Sequence, residues 1–424
     1  MKSIKVKLWG VEIGLLSENP NDERHYLFEY NKNFLSSHIE VCPLAMKKGQ
    51  GIFVFDNLSF ESFKGLPPLL IDSLPDRYGE TLLSIWKEKH HKDSLDPIDV
   101  LSYIGKRGMG ALEFEPALDA DSKDNALEIE SLVEVAKEVL AKREEVIVDV
   151  SKEKDLQKLI DVGSSIGGAR AKAIIAIGPN NEVRSGQIAG LKGYKYCILK
   201  FDGLTNDLSE DQEVTYYTRI EYAYYQMAID CGIEMQKSFL LEKNNLYHFV
   251  TERFDRDENG AKIHMLSLAG MVGFDYLKPG ENSYEEVAVV LKNLGCDFDD
   301  VIQLFRRMVF NVFGKNHDDH VKNISFLMNK DGKWSLSPAY DLSYSYNPTG
   351  VWTRHHQMRI NGKIDDITRD DLIASAINMG IKKNQAISII EEMKEIFLKI
   401  DHYGEIAKLP TMVVETIKKQ LCIK

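Results

Sequence analysis

The run Asn316–Asn323, NHDDHVKN, concentrates more reactive side chains than any other stretch of this chain. It follows an apolar segment, DDVIQLFRRMVFNVFG, that ends at Gly314. Asp318 stands five residues before Asn323, and Asp341 follows 18 residues after it, beyond a hairpin-like stretch. Phosphoryl transfer needs an acidic group that orients or deprotonates an attacking hydroxyl, and oxygen ligands that hold magnesium across nucleotide phosphates. An Asp-x-x-x-x-Asn loop with a later Asp supplies such a set. The bland alternative is a solvated polar loop capping a helix. Another takes His317, Asp318, Asp319 and His320 as the metal cluster of a phosphohydrolase. Adjacent side chains on one loop point in different directions, and such sites usually recruit ligands from separate elements.

Two further features fit nucleotide chemistry. GSSIGGARAKAIIAI, Gly163–Ile177, is a glycine-rich turn that runs into a strand. Its glycines let backbone N–H groups approach phosphate oxygens. Gly163 and Gly168 fit GxxxxG, but Ala169-Arg170 follows where the P-loop needs Lys-Ser or Lys-Thr. Lys200 closes the apolar strand KYCILK about 30 residues after the turn, placed to pair with phosphates. Strand-end lysines also simply reach to solvent. Glu221, on the helix that follows, could orient Lys200.

These residues need elements to hold them. Residues 1 to about 115 alternate apolar and polar positions (IKVKLWGVEIGLL, YLFEY, IFVF), which predicts a β-rich unit. Pro75 and Asp76 open a helix through RYGETLLSIWKEK, and residues 126–145 form a charged amphipathic helix. KAIIAIG and KYCILKF read as neighbouring strands joined through Pro179-Asn180-Asn181. A helix ends at Gly232, and the strands QKSFLLEK and NLYHFVTERF meet at the Asn244-Asn245 turn. The rest is mainly helical, interrupted by a hairpin around Lys330-Asp331-Gly332.

Hydrophobic residues at 44% and charged residues at 28% of a 424-residue chain predict an ordinary globular protein of two or three units. A net charge of −12 argues against a broad nucleic-acid-binding face, which needs clustered Lys and Arg. The five scattered cysteines include no CxxC pair, which disfavours a zinc knuckle or disulfide framework and favours a reducing compartment. No apolar run approaches the ~18 residues of a membrane span, and the first residues read as a strand pair rather than a secretory signal. The expectation is a cytoplasmic protein.

In this order, the motifs resemble the HipA family of serine/threonine kinases, toxins of toxin–antitoxin modules. The likeness covers SLPDRYGETLL, RGMGALEFEP, SIGGARAKA, ILKF, ERFDR with KIHMLSLAG, NHDDHVKNISFL and LSPAYDLS. It implies an α+β, bilobal protein-kinase-like fold: a mixed α/β N-lobe, a mainly helical C-lobe and an N-terminal β-rich accessory domain. The implied divisions are 1–115 for the accessory domain, 116–255 for linker helix and N-lobe, and 256–424 for the C-lobe. Position by position, Asp318 matches the catalytic Asp, Asn323 and Asp341 the magnesium ligands, and Lys200 the phosphate-binding Lys. Gly167, Gly168, Ala169, Arg170, Ala171 and Lys172 match the loop over the ATP phosphates. Glu252, Arg253 and Phe254 match the segment beside the adenine, and His320, Val321, Lys322 and Tyr340 further nucleotide contacts. Ser165, or Ser164 beside it, matches a serine whose autophosphorylation switches the kinase off. Arg170 and Ala171 replace a Gln-Glu seen in some members. The implied partners are a small helix-turn-helix antitoxin, which supplies most of the DNA contact, and a protein substrate such as an aminoacyl-tRNA synthetase. The rival from another class is a catalytically idle corepressor or binding module.

Overall fold

The structure, a computed structural model, describes residues 1–91, 94–118, 126–141, 153–163, 170–188, 190–204 and 216–423. Among the described residues it is a mixed α+β protein with three sheets. The first is antiparallel, in the order β4-β3-β2-β1-β5, from β1 (Ser3–Leu8), β2 (Val11–Glu18), β3 (Tyr26–Tyr30), β4 (Ile52–Phe53) and β5 (Leu112–Glu115). β1 and β2 turn through Trp9 and Gly10 at φ 50° and 80°. Two consecutive positive φ angles are what a tight hairpin between right-twisted strands requires. The expected strand IFVF is paired only over its first two residues.

The second sheet has the order β7-β6-β8-β10-β9, from β6 (Lys172–Ile177), β7 (Val183–Ser185), β8 (Lys195–Lys200), β9 (Ser238–Lys243) and β10 (Leu246–Glu252). β6 and β8 are neighbours as expected, but the turn at 179–181 leads first into β7, which flanks β6 on the other side. KAIIAI is buried along almost its whole length, so it carries no alternation to read. The Asn244-Asn245 turn joins β9 to β10 with both residues at positive φ.

Helix Glu153–Gly163 packs on β6, and helix Tyr217–Asp230 packs on β9 and β10. The latter stops where Gly232 takes φ 68°, the left-handed conformation that commonly ends helices. The charged helix is seen over Ile129–Ala141; residues 142–145 of that expectation lie outside the described residues.

The remaining chain is helical around a third sheet, β11 (His264–Ser267), β12 (Ser325–Met328) and β13 (Trp334–Leu336). β12 and β13 are the expected hairpin, and β11 pairs with β12 across about 60 positions. Helix Phe298–Phe313 buries Leu304, Phe305, Met308, Phe310 and Phe313, and so anchors the loop that follows it. Continuous apolar packing runs from Ile4 to Ile417. The first sheet is also tied to the rest by charge. Asp255, wholly buried, receives Arg253 Nε and Nη2 (2.8 and 2.7 Å), Arg256 Nη1 (2.8 Å) and the Gly110 backbone N–H (2.7 Å). Gly110 has φ 69°, and a Cβ there would stand 3.1 Å from the Met265 nitrogen, so glycine is what lets the two segments meet.

Candidate functional site

A cleft of about 1570 Å³ opens between the second sheet and the helical part, walled on one side by residues 60–109. β6 and β8 deliver two lysines to it, since Lys172 and Lys200 are directly opposite each other in register. Lys200 Nζ donates to Glu221 Oε1 at 2.6 Å and to Asp341. Glu221 is buried on helix Tyr217–Asp230, so the expected contact with Lys200 is present. Burial works against the charge on Lys200, but Asp341 and Glu221 outweigh it and raise its pKa. Burial likewise opposes ionisation of Asp341, yet Lys200 and then Lys172 hold its carboxyl well below the usual range. Lys172 goes the other way, its pKa lowered chiefly by burial. Asp341 takes φ 53°, a conformation that costs a non-glycine residue about 1–2 kcal/mol. The fold therefore imposes the direction of this carboxylate.

Asp318 and Asn323 face the same cleft. The Asn323 Nδ2 donates to the Asp318 carbonyl at 2.7 Å, leaving its Oδ1 as the acceptor of the pair. Oxygen donors, one of them an ionised carboxylate, suit magnesium. Asp318 keeps 47% of its side chain exposed to the cleft. Its surroundings push its carboxyl upward, desolvation first, while His320 and Arg170 pull the other way. His320 accepts from the Lys322 N–H at 3.2 Å and so caps the short 3-10 turn Val321–Asn323. Tyr340 braces that turn by donating to the Lys322 carbonyl at 2.6 Å, and its ring packs 5.4 Å from Phe254.

The metal-cluster alternative fails on geometry. Asp319 turns inward to Tyr284 Oη (3.0 Å), His356 Nδ1 (2.9 Å) and the Gln357 N–H (2.7 Å). His317 is buried against His356, its pKa lowered to about 3 mainly by burial. Among the described residues, no cluster of three or more His, Cys, Asp or Glu side chains is arranged for a metal.

Other expected nucleotide contacts are placed unevenly. Arg170 lines the cleft and lies 3.3 Å over the Tyr217 ring centre. Glu252, Arg253 and Phe254 line it too, with the Arg253 guanidinium fully buried on Asp255. The Ala171 and Val321 side chains belong to the core, so only their backbones could serve a ligand. Gly167, Gly168, Ala169, Ser164 and Ser165 lie outside the described residues.

Two cleft residues carry no signal in the spacing of the motifs. Asp76 occupies the N-cap of helix Arg77–Lys89 but makes no capping hydrogen bond. Its Oδ1 instead takes Lys322 Nζ at 2.7 Å, 246 positions away. Gln357 Nε2 donates to Asp318 Oδ1 at 3.3 Å.

Comparison with known proteins points to one family. The family model described as the HipA-like C-terminal domain matches residues 164–399, and that of the HipA N-terminal domain matches residues 4–115. A protein of Haemophilus influenzae named "Putative kinase" is 25% identical over 245 residues, 50% of this chain and 71% of that one. "Putative kinase Y4dM" of Sinorhizobium fredii is 36% identical over 92 residues, 22% of each chain. A solved Shewanella oneidensis structure, described as the toxin–antitoxin system HipA, HipB and its operator DNA complex, shares the fold. Its TM-score is 0.67 at 18% identity, over 98% of this chain and 95% of that one. Among the described residues, no helix is long and apolar enough to cross a membrane.

Proposed function

The chain belongs to the HipA family, and from that membership we propose that it is an ATP- and magnesium-dependent serine/threonine protein kinase, the toxin of a toxin–antitoxin module. The observation that carries the reading is the convergence of Lys200, Asp341, Asp318 and Asn323 on one cleft. Two relatives named as kinases support it. In this reading 116–255 and 256–424 are the two lobes of the kinase, and 1–115 is an accessory domain.

Lys200, fixed by Glu221, faces the nucleotide's phosphates with Arg170 and Lys172 beside it. Asp318 accepts the proton of a substrate hydroxyl as that oxygen bonds to the γ-phosphorus and the bond to the bridging oxygen breaks, releasing ADP. Asn323 and Asp341 would hold magnesium, which supplies charge neutralisation across the phosphates. Phe254 and Tyr340 flank the base. Autophosphorylation at Ser165 or Ser164 would place about −1.5 to −2 charges where the nucleotide's phosphates belong and switch the enzyme off.

The partner we assign is a small helix-turn-helix antitoxin, in keeping with the HipB and operator DNA of the Shewanella complex. The substrate is a component of translation such as an aminoacyl-tRNA synthetase. The test is magnesium-dependent transfer of labelled γ-phosphate to proteins of a host lysate, with Asp318→Asn as control. Transfer by the parent chain and at least a ~10²-fold loss in the variant is the expected result. No transfer by the parent would favour the idle corepressor.

A further inference from the structure

Gln357 is held more firmly than a cleft residue with no role of its own needs to be. It is only 5% exposed. Its backbone N–H donates to Asp319 Oδ1 at 2.7 Å, and its carbonyl accepts from the Gly280 N–H at 2.7 Å. The preceding residue, His356, holds the other Asp319 oxygen at 2.9 Å. Asp319 thus serves as a peg on which residues 356 and 357 are hung, and the peg adjoins Asp318. With both peptide groups fixed, the Gln357 amide reaches two acceptors at 3.3 Å each: Asp318 Oδ1 and the Trp352 carbonyl.

We infer that Gln357 is a positioning residue for phosphoryl transfer: its amide fixes the Asp318 carboxylate so that Oδ2 is the oxygen presented to the acceptor hydroxyl. The inference rests on the kinase reading and adds to it a residue and an atom. Asp318 Oδ1 is engaged by Gln357 Nε2 and approached by His320 Nε2 at 3.7 Å. Oδ2 is the oxygen with neither contact. A carboxylate on one rotatable bond, with 47% of its surface open to the cleft, has little else to fix its plane. The second N–H of the amide ties that plane to the Trp352 carbonyl, in the cleft wall formed by residues 343–353. A hydroxyl arriving along this wall therefore meets an oxygen set in register with the wall itself. Proximity effects depend on this kind of registration, and misplacement by about 1 Å can cost ~10²-fold.

The test uses the full chain with Gln357→Met, which keeps the volume and removes both donors. The clamp on Asp319 is made by backbone and by His356, so this variant keeps the loop. Phosphotransfer kcat is expected to fall about 10- to 100-fold, as for loss of a hydrogen bond to a charged group. The KM for magnesium–ATP should stay within about twofold, and so should the apparent affinity for a non-hydrolysable ATP analogue. In an Asp318→Asn background the same change should cost less than about threefold, because residues acting through one group are non-additive. A second variant, Gln357→Ala, should show the same split between kcat and KM. Equal losses in kcat and ATP affinity, or a full loss persisting in the Asp318→Asn background, would assign Gln357 a structural role and overturn the inference. So would a kcat within twofold of the parent. An inactive parent chain overturns the kinase reading itself, and the inference with it.

Discussion

Replacing Asp76 with alanine tests whether the amino-terminal segment takes part in nucleotide handling. The carboxylate contributes no capping bond to its own helix, so the ~1 kcal/mol usually lost with a cap is absent here. Among what goes is the 2.7 Å contact with Lys322 Nζ, between side chains 27% and 13% exposed. Such a pair lies between a solvated surface bridge, at ~0–1 kcal/mol, and a buried one, at ~3–5 kcal/mol when broken. Asp72 still attracts Lys322, and the Tyr276 ring remains 4.8 Å from its ammonium. These remnants place the loss near ~1.5 kcal/mol, about tenfold in an equilibrium constant. If Lys322 meets the phosphates, the tenfold belongs in kcat/KM for magnesium–ATP. Asp76→Asn keeps an acceptor without the charge and should lose roughly half as much in free energy, ~0.7 kcal/mol. The assay is steady-state phosphotransfer by the purified full chain, with a melting curve alongside. A kcat/KM within twofold of the parent in Asp76→Ala, whatever the melting temperature does, would refute the link between this aspartate and the nucleotide.

Other outcomes follow from the same geometry. Asp341→Ala should abolish the magnesium dependence of nucleotide binding by calorimetry, because it removes a carboxylate that Lys200 and Lys172 keep ionised. Asp255→Asn should lower stability at neutral pH by ~3–5 kcal/mol in denaturant unfolding, since it leaves two guanidinium groups facing a neutral amide. The sign of its pH dependence is fixed: Asp255 is held below 3.8 despite its burial by Arg253 and Arg256, so its stabilisation is complete above about pH 4 and is lost as pH falls. The Asp255→Asn variant should therefore show a shallower loss of stability below pH 4 than the parent. Mass spectrometry after incubation with ATP should find phosphate at Ser165 or Ser164 in the parent and none in Asp318→Asn.

Much of the local architecture was legible because its signals are local. Asn244-Asn245 marked a turn, and the alternation of IKVKL marked a strand with one buried face. Lys200 and Glu221 could be paired because the helix follows the strand within about 20 residues. β7 was missed because it is three residues long, and β11 because its partner lies about 60 positions away. Asp76 reads correctly as the start of a helix, but nothing local says that its carboxylate turns to Lys322. Gln357 stands beside a conspicuous histidine pair and has no distinguishing neighbour of its own. Glu252, Arg253 and Phe254 were read as nucleotide neighbours and line the cleft; the sequence did not show that the side chains of Arg253, Asp255 and Arg256 form the ion cluster that meets residues 108–110.

That cluster has a consequence for how the chain is made. β5 closes the first sheet against β1, so this sheet can assemble once β5 has left the ribosome. The Gly110 N–H, however, is bonded to a carboxylate another 145 residues along. At ~5–20 residues per second, the nascent sheet waits roughly 7–30 s for it. During that interval the loop carrying Gly108 and Gly110 lacks its partners from residues 255 and 256. Only when Asp255 and Arg256 arrive do the Gly110 N–H and the Gly108 and Gly110 carbonyls gain the partners they have in the fold.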